Sequence, residues 1–191
     1  MGAKTKEAYF DHALQLLAES GAAGVTIASL CSGLDVTKGS FYHHFDGHSE
    51  FMAEFLAHWE HKYARAAVDT AHLVEDPIER LNHMKPLVIG IHHEAESAIR
   101  ALARTDDIAA AAQARVDHER QQIVEETLIE VGIAREQASD LAHTALAILI
   151  GAQHMTRPVD RELMSRQFDG FEWWLHSVAA RVTRQTQSSP N

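Results

Sequence analysis

The chain has 191 residues, a formal net charge of -10, 46% hydrophobic residues and only four prolines. This length can bury a core, and its Ala-, Leu- and Glu-rich segments without polar–apolar alternation predict an all-α fold rather than a sheet. The single Cys31 excludes an intrachain disulfide, no apolar run reaches the ~20 residues of a membrane span, and no signal peptide is evident, so we expect a cytoplasmic protein without membrane contact.

The first predicted helix covers residues 4–20. Ala8, Tyr9, Ala13 and Leu17 recur at helical spacing, and Gly21 follows as a stop signal. We expect this helix to brace the segment that comes next.

Residues 26–45 predict two short helices joined by a tight turn. Thr26 can cap the first helix, whose apolar residues recur at helical spacing up to Leu34. The period is interrupted at Asp35, and Thr37 can cap the second helix. This pattern is a helix-turn-helix.

The second of these helices exposes an unusual face. Phe41 and Phe45 lie four residues apart and can anchor inward, which leaves small, cationic, phenolic and imidazole side chains outward. Small side chains at Gly39 and Ser40 would let the backbone approach the base edges of a DNA duplex.

The segment reads TIASLCSGLDVTKGSFYHHF. It resembles the amino-terminal DNA-binding signature of the TetR family of bacterial transcriptional regulators, and the resemblance covers residues 4–56. It implies that the two helix-turn-helix heads of a dimer dock in successive major grooves of DNA. The implied phosphate contacts are Thr26, Thr37, Tyr42 and His48. The implied base-edge residues are Lys38, Gly39, Ser40 and His43.

Two residues depart from the family pattern. Asp35 stands where the family usually has glycine in the turn, and Asp tolerates a left-handed backbone better than most residues. His48 stands where the family usually has lysine. Because a neutral imidazole is a poorer phosphate partner than an ammonium group, we expect DNA affinity to be lower and to rise at acidic pH.

The head is acidic. Residues 1–50 carry three lysines and six carboxylates, a balance of -3, where a DNA-binding region normally shows a basic footprint. We expect Lys4, Lys6 and Lys38 to share one face with histidines of the head. The histidines of that face would be His12, His43, His44 and His48.

The rest of the chain predicts a larger helical body. A long helix follows Gly47 to about residue 71, a helix from Pro77 runs to Leu102 with a kink at Pro86, and further helices cover 108–131, 134–155 and 160–183. The predicted domains are therefore a helix-turn-helix DNA-binding domain at 1–47, a ligand-binding and dimerisation domain at 48–184, and a disordered tail at 185–191.

The last two helices carry wide apolar faces, which must be buried on more than one side. The family resemblance implies a four-helix interface between two copies of the chain, and an ordinary intrachain core remains the alternative. The predicted interface residues are Ala142, Ala145, Leu146, Leu149, Phe168, Phe171, Trp174, Leu175 and Val178.

The body also offers the mixture of apolar walls and few polar groups that small-molecule sites favour. The alternative for each such residue is a plain core position. The predicted ligand-binding residues are Trp59, Tyr63, Met84, Val88, Ile91, His92, Ile99 and Leu102.

Metal binding and catalysis are less well supported. His58 and His61 are three residues apart and could share an ion, but no HExxH motif or Cys/His cluster is present, and no nucleophile or phosphate-loop motif occurs. We predict no metal, no cofactor and no enzyme activity. Cys31 fits a core position, with a redox sensor as the alternative.

The sequence thus predicts a homodimeric, ligand-responsive regulator. We expect it to repress transcription from a palindromic double-stranded operator and to be released by a small-molecule effector. The alternative is a small-molecule sensor of the same fold that has lost DNA binding, and a metal-dependent helical enzyme is a third hypothesis.

Overall fold

The computed structural model describes residues 4–187, including their side chains except those of residues 63, 64, 66, 67, 176 and 178–187. Over this range the chain is helical and contains no strand, which confirms the all-α prediction. The helices are α1 Lys6–Ser20, α2 Ile27–Gly33, α3 Lys38–Tyr42, α4 His48–Trp59, α5 Ala66–His72, α6 Pro77–Ile89, α7 His93–Leu102, α8 Asp107–Glu130, α9 Arg135–Met155 and α10 Arg161–Gln187. A 3-10 turn covers Ala22–Gly24, and a π-helical segment, Glu60–Arg65, joins α4 to α5.

The chain divides into two compact units. Unit 1 contains the residues up to Ala64 together with His92–Val116, and unit 2 contains Arg65–Ile91 together with the residues from Asp117 onward. The predicted head at 1–47 lies within unit 1, which also includes α4, α7 and the first part of α8.

Unit 1 is built around aromatic side chains. Tyr9 and Phe10 of α1 meet Phe41, Phe45 and Phe51, with ring centroids 5.0 to 5.9 Å apart in most pairs. Helix α7 packs on α1 and contributes its own apolar face to the same core. Edge-on and tilted ring pairs are favourable arrangements. Because Phe41 of α3 takes part in them, this core fixes the orientation of α3.

Unit 2 contains two apolar clusters. One gathers Leu81, Leu128 and Leu141 around the start of α9, and the other gathers Leu149, Met164 and neighbouring residues around the α9–α10 connection. A buried guanidinium reinforces the first cluster, since Arg80 donates to the Val74 carbonyl at 3.0 Å and pairs with Glu130 at 3.0 Å. Lys85 of α6 pairs with Asp169 of α10.

The structure corrects two of the predicted helices. The helix predicted from Pro77 to Leu102 is wrong as a single element. Pro86 lies inside α6, and the helix stops at Ile89, where the Gly90 amide donates to the Pro86 carbonyl at 3.0 Å. A new helix begins at His93. The long helix after Gly47 likewise changes to π geometry between Glu60 and Arg65.

The carboxyl-terminal helix is longer than predicted. Helix α10 continues to Gln187 instead of ending near residue 183. Residues 188–191 of the predicted tail lie outside the described part of the chain. Among the described residues, no helix combines the length and the apolar character needed to cross a membrane.

Candidate nucleic-acid interface and internal cavity

Helix α2 begins with a reciprocal cap. The Ser29 amide donates to Thr26 Oγ1 at 3.1 Å, and the Thr26 amide donates to Ser29 Oγ at 2.9 Å. This capping box satisfies amides that the first helical turn leaves unpaired. Leu30 and Cys31 turn inward and attach α2 to the core of unit 1.

The turn between α2 and α3 has the left-handed residue that the sequence predicted. Asp35 has φ of 54°, and the next amide, that of Val36, donates to the Cys31 carbonyl at 3.0 Å. Thr37 then caps α3 by accepting from the Ser40 amide at 3.3 Å. The predicted helix-turn-helix is therefore confirmed.

Helix α3 has one buried face and one exposed face. Phe41 is fully buried, whereas the adjacent Tyr42 is 54% exposed. Lys38, Gly39 and His43 are also exposed. The outward face that the sequence predicted for DNA contact is thus open to solvent.

Ser40 is half-buried and differs from its neighbours on α3. Its hydroxyl lies 3.2 Å from the hydroxyl of Tyr9, a residue of α1. The remaining predicted phosphate residues, Thr26 and Thr37, are exposed, and each has its hydroxyl engaged as a helix cap.

His48 is the first residue of α4, and it is exposed. Its Nε2 lies 2.6 Å from the carbonyl oxygen of Val25. Because a carbonyl only accepts, Nε2 carries the proton and donates. The other ring nitrogen, Nδ1, is an acceptor in the neutral ring and becomes a donor only when the ring is protonated.

The cations of the head are not equivalent. Lys6 is bound to Glu54 at 2.7 Å and lies 4.9 Å from the centroid of the Phe45 ring. Lys38 is exposed and forms no ion pair with any described residue. Lys6 is therefore engaged within the head, and Lys38 is the cation that α3 presents outward.

His12 and Cys31 both belong to the packing of the head. A Cβ added to Gly33 would lie 1.9 Å from His12 Nε2, so the imidazole occupies the space that this glycine leaves. Burial raises the pKa of the Cys31 thiol, and the opposing charge of Lys38 has a smaller effect. A buried thiol with a raised pKa has little thiolate at neutral pH, as the core interpretation requires.

Unit 2 contains a partly open cavity of about 100 Å³. Its walls are mainly apolar side chains from α5, α6, α8, α9 and α10, and the residues Lys85, Arg120 and Glu172 also line it. The apolar lining residues are Val68, Ala71, Leu81, Met84, Leu87, Val88, Ile91, Ile123, Val124, Ala142, Ala145, Leu146, Leu149, Phe168, Phe171 and Leu175.

Three of the eight predicted ligand residues line this cavity, namely Met84, Val88 and Ile91. The others do not lie in its wall as described. Trp59 and Ile99 are buried in the core of unit 1, and Leu102 packs against that core. His92 also belongs to unit 1, and the Tyr63 side chain lies outside the described residues. The helical period located the apolar faces correctly, but it does not say which unit each face joins.

The predicted interface residues have an unexpected position. All of them except Trp174 and Val178 line the cavity of unit 2. Trp174 is 40% exposed, and its neighbour Trp173, which is not among the predicted interface residues, is 72% exposed. The side chain of Val178 lies outside the described residues.

The predicted histidine pair does not form part of a metal cluster. Within the described part of the chain, no group of three His, Cys, Asp or Glu side chains could hold an ion. The pKa of His58 is lowered, mainly because the imidazole is partly buried.

The capped helices, the left-handed turn and the exposed face of α3 define a helix-turn-helix protein with a helical body. The sequence model of the bacterial regulatory proteins of the tetR family matches residues 10–55, the segment that forms this site. This segment therefore belongs to the tetR family of bacterial regulatory proteins. No curated protein sequence is similar enough to count as a relative.

Solved structures show the same fold over nearly the whole chain. A transcriptional regulator from Rhodococcus sp. Rha1 superimposes with a TM-score of 0.75, at 19% identity over 90% of this chain and 96% of that one. A TetR-family regulator from Streptomyces coelicolor has a TM-score of 0.72, 18% identity, and coverage of 91% and 89%. A putative transcriptional regulator from Saccharomonospora viridis, in complex with choline, has a TM-score of 0.72, 18% identity, and coverage of 87% and 94%.

Proposed function

We propose that this TetR-family regulator is a ligand-responsive repressor that binds a palindromic operator as a homodimer and is released by a small molecule. The observation that carries the proposal is the exposed face of α3, on which Lys38, Gly39, Tyr42 and His43 are open to solvent while Phe41 anchors the helix. An anchored helix with small and hydrogen-bonding groups outward is suited to a major groove.

The proposed division of labour on DNA follows from chemistry. Thr26, Thr37, Tyr42 and His48 would hold phosphates, since they carry hydroxyl and imidazole groups at the edges of the motif. The proposed base-edge residues are Lys38, Gly39, Ser40 and His43.

We propose that a second copy packs against α10. Trp173 and Trp174 support this because they are large aromatic residues with 72% and 40% of their surface exposed. Buried aromatic residues are typical anchors of protein interfaces. Two recognition helices held one helical turn apart would read a palindrome with more affinity than one helix.

The cavity of unit 2 is the proposed effector site. Its apolar wall and about 100 Å³ of space suit a small hydrocarbon group, and Lys85, Arg120 and Glu172 are the charged residues among those that line it. The choline complex of the Saccharomonospora viridis protein supports ligand binding by this fold. A coupling of about 1 to 3 kcal/mol between effector and DNA would change operator affinity roughly 5- to 150-fold.

The alternative function is a sensor that no longer reads DNA. The balance of -3 over residues 1–50 favours it, as does the pairing of Lys6 with Glu54, which occupies one of the three lysines of those residues. Non-specific DNA affinity depends on such cations and falls steeply with salt.

The decisive experiment is selection of bound duplexes from a random DNA pool at low salt, repeated at higher salt. If one palindrome is enriched at low salt and is still enriched at higher salt, the result supports a dimeric, sequence-specific regulator. Recovery of no sequence by folded dimer favours the sensor. The matched control is Lys38→Gln, which removes the outward cation of α3 and is expected to lower recovery without changing the fold.

A further inference from the structure

Tyr9 connects the bracing helix α1 to the recognition helix α3 by a single polar contact. Its hydroxyl lies 3.2 Å from Ser40 Oγ. The residue is fully buried, and its ring is held edge-on by Phe41 at 5.8 Å and by Phe45 at 5.6 Å between centroids. The phenol is therefore fixed in place by packing.

The direction of this hydrogen bond follows from burial. Among the described residues, Ser40 Oγ is the one hydrogen-bond partner of the Tyr9 hydroxyl. If Ser40 donated to Tyr9, the phenol hydrogen would be buried without an acceptor, which costs more than the bond contributes. Tyr9 therefore donates and Ser40 accepts.

Because Ser40 accepts this hydrogen bond, the direction of its own hydroxyl hydrogen is constrained. A serine hydroxyl has one hydrogen and two acceptor positions, and the phenol occupies one of the acceptor positions. The Ser40 hydroxyl makes no other hydrogen bond within the described part of the chain, and the residue is half-exposed. Its own hydrogen is thus directed away from Tyr9.

We infer that Tyr9 is a positioning residue that makes Ser40 a hydrogen-bond donor to an acceptor on DNA. The inference rests on the proposed DNA-binding function. Polarisation along the chain from phenol to serine to acceptor would strengthen the outer bond. The acceptor is a base-edge atom, such as purine N7, guanine O6 or thymine O4, or else a phosphate oxygen.

The test is a double-mutant cycle on the selected operator, with Tyr9→Phe, Ser40→Ala and the double variant. Tyr9→Phe keeps the buried ring and removes only the hydroxyl, and we expect it to weaken binding roughly 2- to 10-fold. In the Ser40→Ala background the same change should have no further effect, because the group that Tyr9 orients is gone.

The Ser40→Ala background shows whether the phenol acts through Ser40. Equal weakening by Tyr9→Phe in both backgrounds would mean that it does not, and that result would overturn the inference. Unchanged affinity of Tyr9→Phe in the wild-type background would also overturn it. Measured melting temperatures of all four proteins identify any variant with an altered fold.

The source of the acceptor is read from sequence preference. A base-edge acceptor predicts that Ser40→Ala relaxes preference at one operator position, whereas a phosphate predicts equal weakening on all sequences. A wild-type protein that binds no duplex would overturn the proposed function and this inference together. A wild-type protein that binds, with an additive cycle, overturns the inference alone.

Discussion

The two candidate sites of this protein use the same residue types in opposite ways. In unit 1, aromatic side chains are packed inward so that small and polar groups of α3 stand outside. In unit 2, apolar side chains of α6, α9 and α10 leave about 100 Å³ between them. A recognition surface therefore requires a well-packed core behind it, whereas an effector site requires a core that is incompletely packed.

The largest expected effect comes from a substitution in the aromatic core of unit 1. Phe41→Ala removes a fully buried ring from the centre of the aromatic core and should lower the free energy of unfolding by about 3 to 5 kcal/mol. Urea unfolding followed by circular dichroism measures the change. A loss below about 1 kcal/mol would mean that this core is not what fixes α3.

The proposed dimer gives the next largest effect. Trp174→Glu places a charge on the exposed aromatic surface of α10, and we expect the protein to become monomeric and to lose roughly a hundredfold or more in operator affinity. Sedimentation measures the oligomeric state. Glu162→Gln, an exposed change on the same helix, is the control, and a Trp174→Glu protein that still sediments as a dimer would locate the interface elsewhere.

Tyr42→Ala tests the exposed side of α3 directly beside Phe41. Because the side chain is 54% exposed, stability should change by no more than about 0.5 kcal/mol. Operator affinity should fall roughly tenfold if the phenol bonds a phosphate. Fluorescence anisotropy with labelled operator gives the affinity, and an unchanged value would remove Tyr42 from the contact set.

The cavity is tested by one substitution made at two positions of α9. Ala145 lines the cavity, whereas Ala138 is fully buried in the first apolar cluster of unit 2. Ala145→Leu should fill the space and abolish xenon binding, as read by xenon NMR, with little loss of stability. Ala138→Leu should overpack the core and cost about 1 to 3 kcal/mol. Equal destabilisation by both would argue against an open cavity.

The smallest expected effect is a pH dependence of the recognition surface. His48 donates to Val25 through Nε2, so only the protonated ring can also donate to phosphate through Nδ1. Operator affinity should therefore be higher in acidic than in neutral buffer if His48 meets a phosphate. The proteins His48→Gln and His43→Gln apportion the effect between the two imidazoles, and a flat wild-type profile would show that neither gains a DNA contact on protonation.

The stability of the fold limits how far the pH can be lowered in that experiment. Burial lowers the pKa of His58, so the folded state binds this proton less readily than the unfolded state. The unfolding free energy consequently falls as the pH drops through the ordinary histidine range. Binding data below about pH 6 would mix this destabilisation with the contact under test.

The head was largely predictable from sequence because its signals are local. Thr26 and Thr37 announce two helix starts, Asp35 supplies the left-handed turn, and Phe41 and Phe45 give the inward face. The contact of Tyr9 with Ser40 could not be predicted in this way, since it joins residues 31 positions apart.

The body was less predictable because its signals are ambiguous. Apolar spacing shows that Ile99 and Leu149 face a core, but not that the first belongs to unit 1 and the second to a cavity wall in unit 2. The sequence predicts a continuous helix with a kink at Pro86, whereas the helix ends at Ile89, where the Gly90 amide closes the last turn.

The interleaved path of the chain limits how such proteins can be recombined. Unit 1 is assembled from two separate stretches, and His92–Val116 is needed to complete the core around α1. Suppose that a chimaera receives only residues 10–55, the matched segment, from another protein. Most of its α1 would then come from the donor, while the α7 that packs against it would still come from the host. Transplanting the recognition helix into another regulator therefore requires either the transfer of both stretches or a redesign of the α1–α7 seam.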